Sequence, residues 1–307
     1  MELGDRFPKL GQFIKFIKNI TDLKRETAMI IKTIKKRILV PMWYKLRLLQ
    51  MLARFGEDRF YNVEIEISSQ CNFKCSYCPV SKFPRPNGIL PTETYKNVID
   101  QLREIGYSGS IAPHLYNEPL LDSRLPDLMG YTRSQLPKCK ILLYTNGSLL
   151  NKKLFNRLIS AGVDKIIISQ HTPNMLPNIK HLFSELSPKE KNKIKYTNMT
   201  SMNYKVSNRG GLIKNENLHD KFYDRFYACF SPTGGLIINY KGFVLICSDD
   251  YNCTQPFGNV KNEGTMAIWN KPEFRKARKD IRNGKFNFRI CQLCSKAKNI
   301  VDKETNR

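Results

Sequence analysis

The chain is short of acid, short of histidine and without long apolar runs. Its 307 residues hold 27 Asp and Glu against 51 Lys and Arg, a formal net charge of +24, and four His. No Ser/His/Asp arrangement and no glycine-rich phosphate loop is present, which argues against serine-type hydrolysis and P-loop nucleotide chemistry. No apolar stretch approaches the roughly 20 residues that span a bilayer, so no transmembrane helix is expected. No charged-then-apolar leader with a small-residue cleavage site is visible either, and the chain is expected in a reducing cytosol. Internal repeats and low-complexity stretches are absent.

What is present begins with the charge. Residues 1–60 carry fourteen Lys or Arg against six Asp or Glu. Phe13, Ile17, Ile20, Ile30, Ile31, Ile34 and Ile38 recur at helical spacing with lysines between them, and after Pro41 the pattern resumes at Trp43, Leu46, Leu49 and Leu52. This predicts a basic amphipathic pair of helices. Such helices either pack on the rest of the protein or lie on an anionic membrane surface, giving a peripheral contact through residues 10–55 at its inner face. A basic surface also suits nucleic acid, but no base-stacking motif or known module accompanies it, so nucleic acid is not the expected partner.

From residue 62 strands and helices alternate. Strands are expected at 62–67, 111–116, 140–145, 165–169, 194–199 and 203–207, with helices at 92–105, 122–137, 150–161 and 174–193 between them. Six such units predict an α/β fold, a parallel sheet curved as a partial (β/α)6 barrel with its chemistry at the strand ends. After Gly210-Gly211 the character changes. Leu236–Asn239 and Phe243–Cys247 flank Tyr240-Lys241-Gly242, a hairpin signal, and a helix over 265–283 follows. The expected organisation is a helical extension at 1–60, the barrel at 61–215 and a small α+β domain at 216–307.

Nine cysteines are an odd number, and seven fall in groups. Cys71, Cys75 and Cys78 follow the first strand on one loop. Three thiolates can hold three irons of a cubane and leave the fourth open to a chelating ligand, whereas structural zinc wants a fourth protein ligand and paired knuckles. The segment CNFKCSYC resembles the CxxxCxΦC signature of the radical S-adenosylmethionine (radical SAM) superfamily, with Tyr77 as the aromatic residue beside the cofactor. The resemblance implies that S-adenosylmethionine chelates the open iron of a [4Fe–4S] cluster. Reduction by an external donor of flavodoxin or ferredoxin type then yields a 5′-deoxyadenosyl radical. Further positions match the family's cofactor contacts in order. Asn117-Glu118-Pro119 is similar to GGEP, departing from it at Asn117, and implies Glu118 as acceptor for the methionyl amine. Thr145-Asn146-Gly147 matches TNG, Ser169 the ribose contact, and Ser207-Asn208-Arg209-Gly210-Gly211 a late-strand motif. The last implies Asn208 at the cofactor and Arg209 at cofactor or substrate. This resemblance spans about residues 61–211.

Cys229, Cys247, Cys291 and Cys294 form the second group. The hairpin brings the first two close, and four thiolates make either a zinc site or a fully ligated [4Fe–4S] cluster. Residues 216–297 resemble the truncated SPASM, or twitch, domain, which implies one auxiliary [4Fe–4S] cluster. Cys139 reads as a buried small hydrophobe, and Cys253 as a spare thiol or a hydrogen donor to a substrate radical. His171 is a candidate substrate contact and His114 lies near another strand end; either could equally be structural. Twitch-bearing relatives that oxidise or epimerise sugars and cyclitols resemble this chain in its cysteine spacing. The expected reaction is therefore dehydrogenation or epimerisation of such a small molecule, anionic or lipid-linked if the basic charge is matched to it. Modification of a ribosomally made peptide is the alternative. Outside enzymes, the alternatives are a nucleic-acid-binding protein and a structural zinc protein, which iron and sulfide analysis separates.

Overall fold

The structure is a computed structural model. It describes residues 59–200, 207–213, 229 and 231–294, together with helical positions 42, 46 and 49. The contacts divide the chain into two units, Met1–Gly56 and Glu57–Arg307. Most of the expected N-terminal helices, and the expected strand at 203–207 apart from Ser207, lie outside the described residues. In the first unit Met42, Leu46 and Leu49 are helical and more than half exposed.

Among the described residues the second unit is built on one sheet of eight strands. These are β1 (Asn62–Ile65), β2 (Ser110–Ala112), β3 (Lys140–Thr145), β4 (Lys165–Gln170), β5 (Ile194–Asn198), β6 (Gly235–Ile238), β7 (Phe243–Leu245) and β8 (Gly258–Asn259), in the order β5-β4-β3-β2-β1-β6-β7-β8. β1 to β5 are parallel neighbours connected through helices, as the alternation predicted. Parallel strands need such crossovers, and helices then cover the sheet. The helix Thr92–Glu104 buries Tyr95, Val98, Ile99 and Leu102 on one face. Thr92 is its first residue and follows Pro91. The helix Lys152–Ser160 is capped by the Asn151 side chain, which accepts the Leu154 N–H at 2.9 Å.

Two expected helices are each divided. Residues 174–193 form Pro177–Glu185 and Pro188–Lys191, because Ser187 starts a capping box with Glu190 and Pro188 takes the first helical position. Residues 265–283 form Thr265–Trp269 and Pro272–Arg282, since Pro272 lacks the N–H that would continue the first helix.

The expected C-terminal hairpin is present, with Gly242 at φ +90° in its turn. It does not form a separate sheet. β6 pairs in parallel with β1 from Asn62↔Gly235 to Ile65↔Ile238, so the hairpin extends the barrel sheet on its free edge. One hydrophobic core accordingly runs from Val63 and Ile111 through Leu236 and Val244 to Trp269 and Phe274.

Candidate active site

A cavity of about 270 Å³ opens where β1 to β4 end. The loop after β1 brings Cys71, Cys75, Cys78 and Tyr77 to it, and the end of β2 brings His114, Tyr116, Asn117 and Glu118. Thr145 and Asn146 come from β3, Ser169 and His171 from β4, and Arg209 and Ser248 from the later chain. Ten of the predicted positions therefore converge: Cys71, Cys75, Tyr77, Cys78, His114, Glu118, Asn146, Ser169, His171 and Arg209.

The cysteine loop is held by its own backbone. Cys78 N–H donates to the Cys75 carbonyl at 3.0 Å, and Ser81 Oγ donates to the carbonyls of both Cys75 and Cys78 at 2.7 Å. Pro79 opens the short turn that follows. Burial pushes the Cys71 thiol up to about 11 and raises those of Cys75 and Cys78; neighbouring thiols add to the rise at Cys71 and Cys75, whereas Arg209 and Arg85 oppose it at Cys78. Three half-buried thiolates are costly side by side unless a cation neutralises them, so metal would enter with release of their protons.

Glu118 is 2% exposed. Its carboxylate accepts from Thr145 Oγ1 at 2.7 Å, the Asn146 N–H at 2.7 Å and the Leu120 N–H at 3.0 Å. Burial raises its pKa and these donors lower it. About one of its four acceptor positions remains for a further donor. Asn146 Nδ2 donates to Asn72 Oδ1 at 2.8 Å, and Asn72 Nδ2 to Ser148 Oγ at 2.8 Å, so the cysteine loop is tied to the end of β3. Asn72 escaped the sequence reading, although an amide between two cysteines on a strand-end loop was the available signal. Tyr77 Oη and His171 Nδ1 are hydrogen-bonded, and Phe73 meets the His171 ring edge-on at 6.1 Å.

Four polar atoms of the cavity-lining residues are buried with no partner: His114 Nδ1, Tyr116 Oη, Asn117 Nδ2 and Arg209 Nε. Buried polar atoms are nearly always satisfied, so this set fits a polar ligand. Burial, reinforced by Arg209, holds His114 down to about 4, so its ring is neutral. It stacks on Tyr144 with centroids 4.3 Å apart.

Arg209 sits at φ +50°, followed by Gly210 and Gly211 at positive φ. That sharp turn sends successive side chains in different directions. Arg209 lines the cavity, whereas Asn208 does not; its Nδ2 donates to the Leu293 carbonyl at 2.8 Å. Arg209 pairs with Asp249 at 3.2 Å, and Ser207 Oγ donates to the same carboxylate oxygen at 2.8 Å.

Asp249 also lines a second cavity, of about 30 Å³, together with Cys229, Cys247, Cys291 and Cys294. The remaining wall is Ser231, Pro232, Ile281, Phe286 and Ile290. Burial pushes the Cys247 thiol well above its usual range and Cys291 up to about 12. Among the described residues no three His, Cys, Asp or Glu side chains are placed to hold one metal ion. Four thiols on one small pocket can each bind one iron of a [4Fe–4S] cubane. Cys253 lines neither cavity. It sits at φ +54° with its N–H on the Asp250 carbonyl at 3.2 Å. Cys139 is buried in the core.

Residues 65–217 match the family model described as the radical SAM superfamily, and residues 229–296 match that of an iron–sulfur cluster-binding domain, SPASM. The chain is 30% identical over 238 residues to the S-adenosyl-L-methionine-dependent 2-deoxy-scyllo-inosamine dehydrogenase of Niallia circulans, covering 77% of this chain and 93% of that protein. The chain belongs to the radical SAM superfamily. This radical SAM enzyme therefore uses S-adenosylmethionine, a [4Fe–4S] cluster and auxiliary iron–sulfur chemistry. It is also similar, at 33% identity, to an S-adenosylmethionine-dependent nucleotide dehydratase of Selenomonas ruminantium, but spans only 40% of that protein. Among solved structures, BtrN in complex with AdoMet and 2-DOIA matches with a TM-score of 0.69 at 28% identity, covering 76% of this chain and 92% of that one. BtrN in an open conformation matches with a TM-score of 0.58 at 26% identity, covering 74% and 87%.

Proposed function

We propose that this radical SAM enzyme dehydrogenates a hydroxyl-bearing carbon of a cyclitol or aminocyclitol. The observation that carries this reading is the Arg209–Asp249 pair. Arg209 lines the larger cavity, and Asp249 lines the pocket of the four other cysteines, so the two sites meet through one ion pair. The Niallia circulans relative, dehydrogenase by name, supports the same reaction class.

Converting an alcohol to a carbonyl removes one hydrogen atom, one electron and one proton. When bound, S-adenosylmethionine and the two clusters supply the hydrogen-abstracting radical and the electron acceptor. Cys71, Cys75 and Cys78 hold the first cluster, and Cys229, Cys247, Cys291 and Cys294 the second. Glu118, fixed by Thr145 and Asn146, offers its remaining acceptor position to the methionyl ammonium. Tyr77, Asn146 and Ser169 form the adjoining cofactor wall. Arg209 Nε, Tyr116 Oη and neutral His114 face the substrate hydroxyls, with His171 at the rim. Epimerisation would need a hydrogen donor beside the substrate, and the position of Cys253 outside both cavities favours dehydrogenation.

An acidic one-electron donor of flavodoxin or ferredoxin type suits Lys74 and Lys82, both exposed on the cysteine loop. No described helix is long and apolar enough to cross a membrane. Met42, Leu46 and Leu49, exposed at helical spacing within a basic segment, support a peripheral contact with an anionic membrane. Anaerobic turnover with S-adenosylmethionine and a panel of cyclitols and aminocyclitols tests the reaction. Loss of two hydrogens from the product is expected. Unchanged mass with deuterium taken from solvent would mean epimerisation and would refute the reading.

A further inference from the structure

Glu66, just beyond β1, is completely buried and takes no part in lining the cavity. Its Oε1 accepts from an Arg85 terminal nitrogen at 2.7 Å and from the Tyr116 backbone N–H at 3.1 Å. Its Oε2 accepts from the other Arg85 terminal nitrogen at 3.1 Å and from the Tyr240 backbone N–H at 3.3 Å. All of its roughly four acceptor positions are filled. The donors come from three separate places: the loop after the cysteine motif, the end of β2 on the cavity wall, and the turn between β6 and β7.

Arg85 reinforces the same junction. Its guanidinium carbon lies 4.5 Å from the Tyr251 ring centroid, 5.1 Å from Tyr240 and 5.8 Å from Tyr116. Tyr251 Oη donates to the Phe83 carbonyl at 2.5 Å, and its ring meets that of Tyr116 edge-on at 4.9 Å. The loop is pressed so closely on the hairpin that a Cβ on Gly88 would come within 2.8 Å of the Tyr240 ring. A buried ion pair of this kind is seldom a good stabiliser, because apolar residues of similar volume commonly do as well or better. Its value here lies in geometry: a planar fork fixes two oxygens and three segments in a single arrangement.

We propose that the Glu66–Arg85 pair is a positioning element. It holds the three-cysteine loop, the Tyr116 wall and the hairpin leading to Cys247 in the register that lets an electron pass from the larger cavity to the four-cysteine pocket. The inference rests on the dehydrogenase reading for its activity readout. Neither residue touches substrate, so both act through Tyr116 and the hairpin.

Two variants test it in the full-length holoenzyme reconstituted with iron and sulfide. Arg85→Lys keeps the charge and removes the fork, and the double variant Glu66→Leu/Arg85→Met removes both charges together. Iron content, deoxyadenosine, oxidised product and the spin coupling between the two reduced clusters are measured. Iron is expected to stay at about eight per chain. The ratio of deoxyadenosine to product should rise about tenfold as the two sites lose register, and the spin coupling should become heterogeneous. An unchanged ratio and coupling would overturn the proposal, as would loss of iron or of both products in proportion, which marks a folding staple only. A wild-type enzyme that forms no carbonyl, beside a variant whose spin coupling still changes, would count against the dehydrogenase reading and not against the positioning role.

Discussion

The two cysteine sites of this molecule are built for opposite purposes. The first presents three thiols to a cavity of about 270 Å³ whose lining includes four unpartnered buried polar atoms. The second encloses four thiols around about 30 Å³, walled by Pro232, Ile281, Phe286 and Ile290. An open coordination position and unsatisfied donors suit a site where ligands come and go, while full ligation in an apolar wall suits a site that only takes or gives an electron. Chemical variety therefore belongs to the first site, and the outcome of the reaction depends on how the second is joined to it.

Replacement of Cys75 with Ala should have the largest effect, abolishing deoxyadenosine formation and reducing iron from about eight to about four per chain. Retained deoxyadenosine formation would break the assignment of the open site. Arg209→Ala comes next. Removing one partner of a buried charged pair should lower the rate of product formation about 10²-fold, while iron content holds. A fall confined to iron would move Arg209 from the substrate to the fold.

His114 offers a smaller, pH-dependent test. Burial and Arg209 hold it down to about 4, below the ordinary value near 6.5. Between these values the unfolded chain binds a proton that the folded chain refuses, so stability rises with pH across that window and is level above it. In His114→Gln the slope of the thermal midpoint between pH 4.5 and pH 6.5 should flatten by the equivalent of about 2 kcal/mol. An identical slope in both proteins would show that the ring does not face a dry cavity. Cys253→Ala should have the smallest effect, changing product formation by less than about twofold, since a thiol outside both cavities has no reacting atom to meet. Loss of product in that variant would restore the epimerase reading.

The first site was largely legible because its determinants are local. Cys71, Cys75 and Cys78 share one loop, Glu118 and Asn146 follow strands, and Ser169 lies in the last two residues of β4. The division of the last long helix was also written locally, in Lys271-Pro272, and was overlooked. The joining of the two sites was not legible. The pairing of β6 with β1 links residues more than 170 apart, and no period in either segment specifies a partner. The contact of Glu66 with Tyr240 depends on that pairing. Asn208 lies off the larger cavity for a related reason: consecutive residues at a turn of positive φ face different ways, and motif order alone does not say which.

The central claim is that the two sites divide the work, one starting the radical and the other accepting its electron. The most direct test is Cys291→Ala/Cys294→Ala, assayed anaerobically for iron, deoxyadenosine and oxidised product. The account predicts about four irons per chain, continued deoxyadenosine formation and no oxidised product. Oxidised product at the wild-type rate from a protein holding only the three-cysteine cluster would contradict it.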